Sequence, residues 1–226
     1  VLGSTGQFRV HRDMITFKPP TLDGEVLFTG IDPQGIYGSN VFTNLKVDND
    51  VVINSAQSVK GNLTLNTGVL TTNGQDLTIT SDNEGSGQVF HNSGSISGDI
   101  TMERRMSYND SSIGWHYISS PMSNMQINDM SQDLQILGLG TNVASDPFPS
   151  LYYYDETTAN QNMIKGWETP ASLSSDFELF TGYIYYKYTK EEQNLRLKGE
   201  VFSGEKSKFL THTSSGKVSS DGWNLL

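Results

Sequence analysis

The feature that most constrains the fold of this chain is a recurring spacing of apolar pairs, clearest between Val41 and Thr80. There, short β-prone stretches are separated by Asn, Gly, Asp and Ser. The pairs Leu45/Val47 and Leu63/Leu65 are 18 residues apart, and Val26/Phe28 precedes the first of them by 19. A nearly constant interval of this length predicts a β-solenoid, in which each coil of the chain stacks on the one before it.

Two further series run beside the first with similar intervals. The first series consists of Val26/Phe28, Leu45/Val47, Leu63/Leu65 and Ile100/Met102. The second consists of Val51/Ile53, Val69/Thr71 and Val89, and the third of Val59, Leu77 and Ile96. Three interleaved series predict three faces in each coil. One coil interrupts the pattern, because Ser81–Gly87 is polar where a strand of the first face is due. We expect a loop or a skipped strand there.

The three series also predict which side chains point inward, since alternate residues of a strand face opposite sides. The expected buried residues are Leu45, Val47, Ile53, Val59, Leu63, Leu65, Val69, Leu77 and Ile79. Thr64 and Thr78 should lie outside. The alternative interpretation is an antiparallel sandwich whose strands are evenly spaced.

A second domain is predicted beyond Met102, where the interval disappears and Trp and Tyr become common. Many short strands with irregular loops favour a β-sandwich or a jelly-roll-like module. We therefore predict an all-β protein with a parallel β-solenoid of about 18–20 residues per coil over residues 1–102. The sandwich-like module follows over residues 103–226, and is cut off at its C-terminal end.

Composition excludes several functional classes. The formal charge of -10 disfavours nucleic acid and anionic membrane surfaces, because few cations could replace the counterions around phosphates. The chain contains no cysteine, so neither disulfides nor thiolate metal sites are possible. No apolar run is long enough to span a bilayer. Because the sequence starts at Val1 and stops soon after an Asp-Gly turn, we interpret it as part of a longer polypeptide.

The sequence offers no catalytic motif, and no catalytic residue is predicted. The four histidines are far apart and lack the spacing of a zinc-binding helix. Ser119 and Ser120 lack the glycines of a nucleophile elbow. Glycoside cleavage requires two carboxyl groups at a defined separation, whereas Asp48, Asp50 and Asp76 are predicted to lie at coil corners.

Calcium is the only cofactor that the sequence suggests. Asp48 and Asp50 flank Asn49, and Asp82 and Glu84 flank Asn83, so each segment gathers the oxygen ligands that calcium prefers. Neither segment matches a known calcium-binding loop. The alternative is a solvated acidic corner, which short Asp and Asn turns commonly form.

Aromatic residues of the second domain suggest a ligand face. The candidates for stacking on sugar rings are Tyr153, Trp167, Tyr183 and Tyr185, since an aromatic ring with a polar tip suits an amphipathic ligand. Strand alternation places Tyr183, Tyr185 and Lys187 on one face and Ile184, Tyr186 and Tyr188 on the other. One of these faces must pack on the core, so the alternative role of these rings is core and cross-strand packing.

An ordered set of motifs resembles large surface proteins of the phylum Bacteroidota. The motifs are NLTLNTGVLTTNGQDLTI (62–79), ITMERRM (100–106), GWHYISSP (114–121), LYYYDE (151–156), TGYIYY (181–186) and DGWNLL (221–226). In that family, solenoid coils precede a β-rich module with GWxxxSSP and GWNLLGNPYPS motifs. The family's GNPYPS continuation and its C-terminal sorting domain are not part of this sequence.

The resemblance implies export by the type IX secretion system, with its translocon as a partner, and an extracellular or cell-surface location. It transfers no catalytic residues, because the family includes adhesins, gliding-associated proteins and accessory regions of enzymes. We expect a non-enzymatic structural or adhesive segment that faces an external surface or a glycan. The alternative is a carbohydrate-binding accessory module of a secreted polysaccharide-degrading enzyme.

Overall fold

The computed structural model describes residues 6–18, 20–106, 113–140, 148–158, 163–214 and 221–226. The chain divides into two compact units. Unit 1 comprises Val1–Arg105 and Arg196–Ser203, and unit 2 comprises Met106–Leu195 and Gly204–Leu226. The boundary expected from composition, between residues 102 and 103, lies three residues before this division. No sequence feature indicated that residues 196–203 belong to unit 1.

Unit 1 is a parallel β-solenoid of about five turns, as the recurring spacing predicts. Its strands are β1 (Gln7–Val10), β2 (Met14–Ile15), β3 (Thr21–Phe28), β4 (Gln34–Tyr37), β5 (Asn40–Val47), β6 (Val51–Ile53), β7 (Gln57–Val59), β8 (Asn62–Leu65), β9 (Val69–Thr71), β10 (Leu77–Ile79), β11 (Gln88–His91), β12 (Ser95–Ser97) and β13 (Ile100–Arg105).

Each coil has three faces. The first face contains β1, residues 25–28 of β3, residues 44–47 of β5, and the strands β8 and β11. The second face contains β2, β4, β6, β9 and β12. The third face begins with the first parts of β3 and β5 and continues through β7, β10 and β13. Because β5 pairs with β7 and also with β8, the first and third faces belong to one hydrogen-bonded sheet.

The buried core agrees with the predicted set except at one position. Val69 is 36% exposed, whereas Leu70 beside it is buried. The register explains this exception, because Val51 pairs with Leu70 and not with Val69. Val69 still belongs to the corner, where its amide donates to the Asp50 carboxylate at 2.8 Å. A shift of one residue exchanges the inward and outward positions of a strand.

The polar segment Ser81–Gly87 forms a loop, as expected. It changes the interval between equivalent residues in neighbouring coils, so the register predicted for the later strands does not hold. Ser81 bridges to Ser86 across it. The loop lengthens its coil, so that Leu63 pairs with Val89 at a separation of 26 residues. The series extrapolated across the loop were therefore wrong. Ile96 aligns with Leu70 on the second face and Met102 with Ile79 on the third.

Side-chain amides hold neighbouring coils together at the corners. The Asn40 amide nitrogen donates to the Gln57 side-chain oxygen at 2.8 Å, and the Gln57 amide nitrogen donates to the carbonyl oxygens of Gly38 and Ser55. Asn40 and Gln57 are buried, so these bonds satisfy groups that water cannot reach. At another corner the Asn44 side chain accepts a bond from the Asn62 amide at 2.9 Å.

Unit 2 contains one four-stranded antiparallel sheet. Its strands are β14 (Gly114–Ile118), β15 (Leu151–Tyr154), β16 (Trp167–Glu168) and β17 (Tyr183–Lys187), and a short helix α1 spans Ile127–Met130. The strand order is β14-β17-β15-β16. The sequence favoured a sandwich here, but the described residues of unit 2 provide a single sheet. No helix in the described part of the chain is both long and apolar enough to cross a membrane.

The chain returns to unit 1 through β18 (Asn194–Gly199), which pairs with β13. Lys198 of this strand forms an ion pair with Asp76 at 2.9 Å. Both side chains are well exposed, so the pair contributes little to stability. The backbone pairing covers the edge of β13 that would otherwise be open.

Candidate functional site

The two faces of the unit 2 sheet differ sharply in character. Strand register places Ile118, Leu151, Tyr183, Tyr185 and Lys187 on one face, and all five are buried. This face forms the core of the unit. The charged side chain of Lys187 is accommodated because its ammonium group donates to the carbonyl oxygen of Thr189 at 2.9 Å and to that of Glu191. Burial lowers the pKa of Lys187.

Two of the four predicted stacking residues therefore belong to the core. Tyr183 packs edge-to-face on Phe177 with ring centroids 4.8 Å apart, and burial raises its pKa to about 12. Tyr185 is completely buried. Tyr153 lies on the same face, half-buried beside Tyr183. Core packing is what the structure shows for Tyr183 and Tyr185, because neither ring presents a face to solvent.

The opposite face of the sheet is rich in aromatic rings, and we call it the aromatic face. Its strand residues are Trp115, Tyr117, Tyr152, Tyr154, Trp167, Ile184 and Tyr186. None of these seven side chains is charged, although the chain carries a formal charge of -10. Trp167 is the one predicted stacking residue that lies on this face.

Trp115 is the centre of the largest ring cluster on the aromatic face. Its centroid lies 5.0 Å from that of Tyr186, 5.7 Å from that of Tyr152 and 6.4 Å from that of Phe148, always in an edge-to-face arrangement. Such contacts are favourable for aromatic quadrupoles and restrict the motion of the rings. Despite these three neighbours, Trp115 remains 45% exposed. The cluster therefore holds an accessible indole in a defined orientation.

A buried hydroxyl lies within the same cluster. Tyr152 is almost fully buried, and burial raises its pKa to about 12. Among the described residues its hydroxyl has no hydrogen-bond partner. The Tyr154 hydroxyl on the same face is likewise buried without a partner among the described residues. By contrast, the Tyr188 hydroxyl donates to the carbonyl oxygen of Phe148 at 2.9 Å.

The other end of the aromatic face is covered by the C-terminal segment. Trp223 packs edge-to-face on Tyr154 and Trp167, with centroids 4.2 and 5.6 Å apart. The buried carboxylate of Glu156 accepts bonds from the amides of Gly222 and Thr213, which holds this segment in place. The bond from the Gly222 amide lowers the pKa of Glu156. Trp167 is consequently half-buried, and the open end of the face is at Trp115 and Tyr117.

The calcium candidates lie at solenoid corners, as their sequence context predicts. One carboxylate oxygen of Asp50 accepts the Val69 amide, and one of Asp82 accepts the Glu84 amide at 2.8 Å, so both have local partners. One carboxylate oxygen of Asp48 is buried and has no partner among the described residues. Calcium binding at either corner stays a prediction, because Asn and backbone carbonyls also serve as ligands.

The described residues contain no group of three or more His, Asp or Glu side chains close enough to hold a metal ion. Comparison with protein-family models, curated proteins and solved structures finds no match to this chain. The geometry of the two units therefore carries the functional argument.

Sequence reasoning missed the open end of the aromatic face. Trp115 and Tyr117 alternate with His116 in the strand GWHYI, which places both rings on one side of the sheet. That alternation was available from sequence alone. It did not indicate which side would be exposed, because the neighbouring strands carry tyrosines on both faces.

Proposed function

We propose that this chain is a non-enzymatic structural and adhesive segment of an exported cell-surface protein. In this proposal the solenoid is a scaffold, and unit 2 is the region that contacts an external surface. The observation that carries the proposal is the combination of a continuous stack of parallel coils with an uncharged aromatic face on which the rings of Trp115 and Tyr117 are exposed. A scaffold needs no catalytic group, whereas a contact region needs accessible rings.

The physics of the solenoid suits a load-bearing element. Neighbouring coils are spaced by about 4.8 Å, and each adds a row of backbone hydrogen bonds and a layer of apolar side chains. Leu45, Leu63 and Val89 form one such row along the first face. Buried amides such as those of Asn40 and Gln57 add bonds between coils. These interactions act between every pair of neighbours, so the stack resists local opening.

Export is the part of the proposal that comes from the sequence resemblance. The resemblance implies that the protein passes through the type IX secretion translocon and ends outside the cell, where it would take part in adhesion or gliding. The test is an epitope tag inserted in the Ser81–Gly87 loop of the full-length protein, in cells that produce it. We expect protease added to intact cells to remove the tag while a cytoplasmic marker survives. A tag that becomes accessible only after lysis would contradict export.

A second candidate function is a carbohydrate-binding accessory module of a secreted polysaccharide-degrading enzyme. The aromatic face favours it, because accessible rings with polar tips suit sugar rings. The two candidates differ in what else the full-length protein contains. A catalytic domain in the same polypeptide, together with retention on insoluble polysaccharide, would favour the accessory module. Retention on a cell or mineral surface without such a domain would favour the structural and adhesive segment.

A further inference from the structure

We propose that the open end of the aromatic face binds a neutral oligosaccharide, with adjacent sugar rings stacked on Trp115 and Tyr117. The proposal rests on the surface-contact role of unit 2 and specifies the ligand class for that role. The site is distinct from the predicted set of Tyr153, Tyr183 and Tyr185, which lie on the core side of the sheet.

Exposure and spacing define the site. Tyr117 is 72% exposed and Trp115 is 45% exposed, which leaves ring surface available on both. They lie two residues apart on the same side of β14, a separation of about 6.8 Å along the strand. Among the described strands, β14 lies at the edge of the sheet. Two consecutive rings of one saccharide chain can therefore contact the two aromatic side chains.

The site is organised before a ligand arrives. The three edge-to-face neighbours of Trp115, namely Tyr152, Tyr186 and Phe148, fix the plane of the indole. Phe148 is itself tied to the cluster by the bond from the Tyr188 hydroxyl to its carbonyl oxygen. A platform whose orientation is fixed in the free protein loses little conformational entropy on binding.

Charge selects a neutral saccharide over other occupants. No described strand residue of the aromatic face is charged, so these strands present no cation to uronic acid or sulfated chains, and the net charge of -10 repels such chains. These strand residues offer no carboxylate to a basic peptide either. The exposed Tyr117 side chain carries a phenolic hydroxyl at the end of its ring. Flat apolar rings interspersed with hydroxyl groups match the alternating C–H and O–H surface of a sugar.

The experiment is isothermal titration calorimetry of the 226-residue chain with cellohexaose, xylohexaose and mannohexaose, and with hexagalacturonate as the anionic comparison. We expect at least one neutral hexasaccharide to bind and hexagalacturonate not to bind. Tyr117→Ala should weaken that binding about tenfold, because one of the two stacking contacts is lost. Tyr117→Phe retains the ring and should stay within about threefold of the unsubstituted chain. Phe17→Ala is the matched control, since Phe17 is a 97% exposed ring in unit 1.

Several results would overturn the proposal: no neutral hexasaccharide binds, Tyr117→Ala binds as well as the unsubstituted chain, or hexagalacturonate binds more tightly. Concentration-dependent dimers that Tyr117→Ala abolishes would also overturn it, because a second copy would then cover the face. The tag experiment separates this proposal from the broader one. An accessible tag with no saccharide binding removes the site and leaves the surface role standing, whereas an inaccessible tag removes the surface role itself.

Discussion

Replacing Gly68 with alanine should destabilise the solenoid more than replacing Gly74, although the two glycines have almost the same backbone conformation. Their φ angles are +75° and +74°. A Cβ atom at Gly68 would lie 2.7 Å from the carbonyl oxygen of Asn49 and 2.7 Å from the amide nitrogen of Asp50, both in the preceding coil. A Cβ atom at Gly74 would meet nothing within 4 Å. The pair therefore isolates the effect of close contact between coils.

The expected loss of stability has two contributions, the cost of the left-handed backbone conformation and the cost of the close contact. An L-residue in the left-handed region costs about 1–2 kcal/mol, and both variants incur this cost. The contact at Gly68 is with backbone atoms that cannot rotate away, and overpacking of this kind adds about 1–3 kcal/mol. We expect Gly74→Ala to lower the free energy of unfolding by about 1–2 kcal/mol and Gly68→Ala by about 2–5 kcal/mol. The lower entropy of an unfolded alanine affects both equally.

The assay is urea unfolding followed by far-UV circular dichroism, with the free energy obtained by linear extrapolation. Tryptophan fluorescence gives a second signal, because all three tryptophans lie in unit 2. We expect both variants to shift the circular dichroism transition without changing its m-value. Equal destabilisation by Gly68→Ala and Gly74→Ala would refute the close stacking of Gly68 on the preceding coil.

Three further predictions concern single side chains. Leu63→Ala should cost about 2–5 kcal/mol and Val69→Ala under about 1 kcal/mol, because only Leu63 is buried; thermal unfolding compares them. Lys198→Ala should change stability by less than about 0.5 kcal/mol in urea, since its ion pair with Asp76 is exposed; a larger loss would contradict this. The pKa of Glu156 is lowered in the folded protein, so its carboxylate stabilises the fold above the ordinary pKa of 4.5, and this stabilisation is lost as pH falls through the lowered pKa. Glu156→Gln should therefore lower the urea midpoint at neutral pH. The difference in midpoint from the unsubstituted chain should shrink as pH falls below 4.5.

The solenoid was predictable because its signal is repeated. Each coil must place an apolar residue inward at nearly the same interval, so Leu45 and Leu63 already indicated the stacking that the structure shows. The exact register was not predictable at the corners. Val69 and Leu70 are both apolar, and the inward residue is Leu70 because the register pairs it with Val51 of the preceding coil. The Ser81–Gly87 loop then changed the interval, which no earlier coil could have indicated.

Unit 2 was less predictable for a different reason. Its strands carry aromatic residues on both sides, so alternation grouped the rings correctly but could not identify the core side. Lys187 further obscured which face of the sheet packs on the core, because a lysine normally indicates the exposed side of a strand. Here backbone carbonyls of the following turn satisfy its ammonium group, and the whole side chain is buried. The role of Glu156 in holding residues near Gly222 depends on a contact 66 residues away in sequence.

In the proposed function, unit 2 makes the external contact and the solenoid is the scaffold. The most direct measurement is hydrogen exchange of the 226-residue chain, with and without the neutral hexasaccharide that binds it best. We expect added saccharide to slow exchange at residues 114–118 and 183–188 and to leave exchange in β5, β8 and the other solenoid strands unchanged. Slowed exchange confined to the solenoid, with β14 and β17 unaffected, would contradict it.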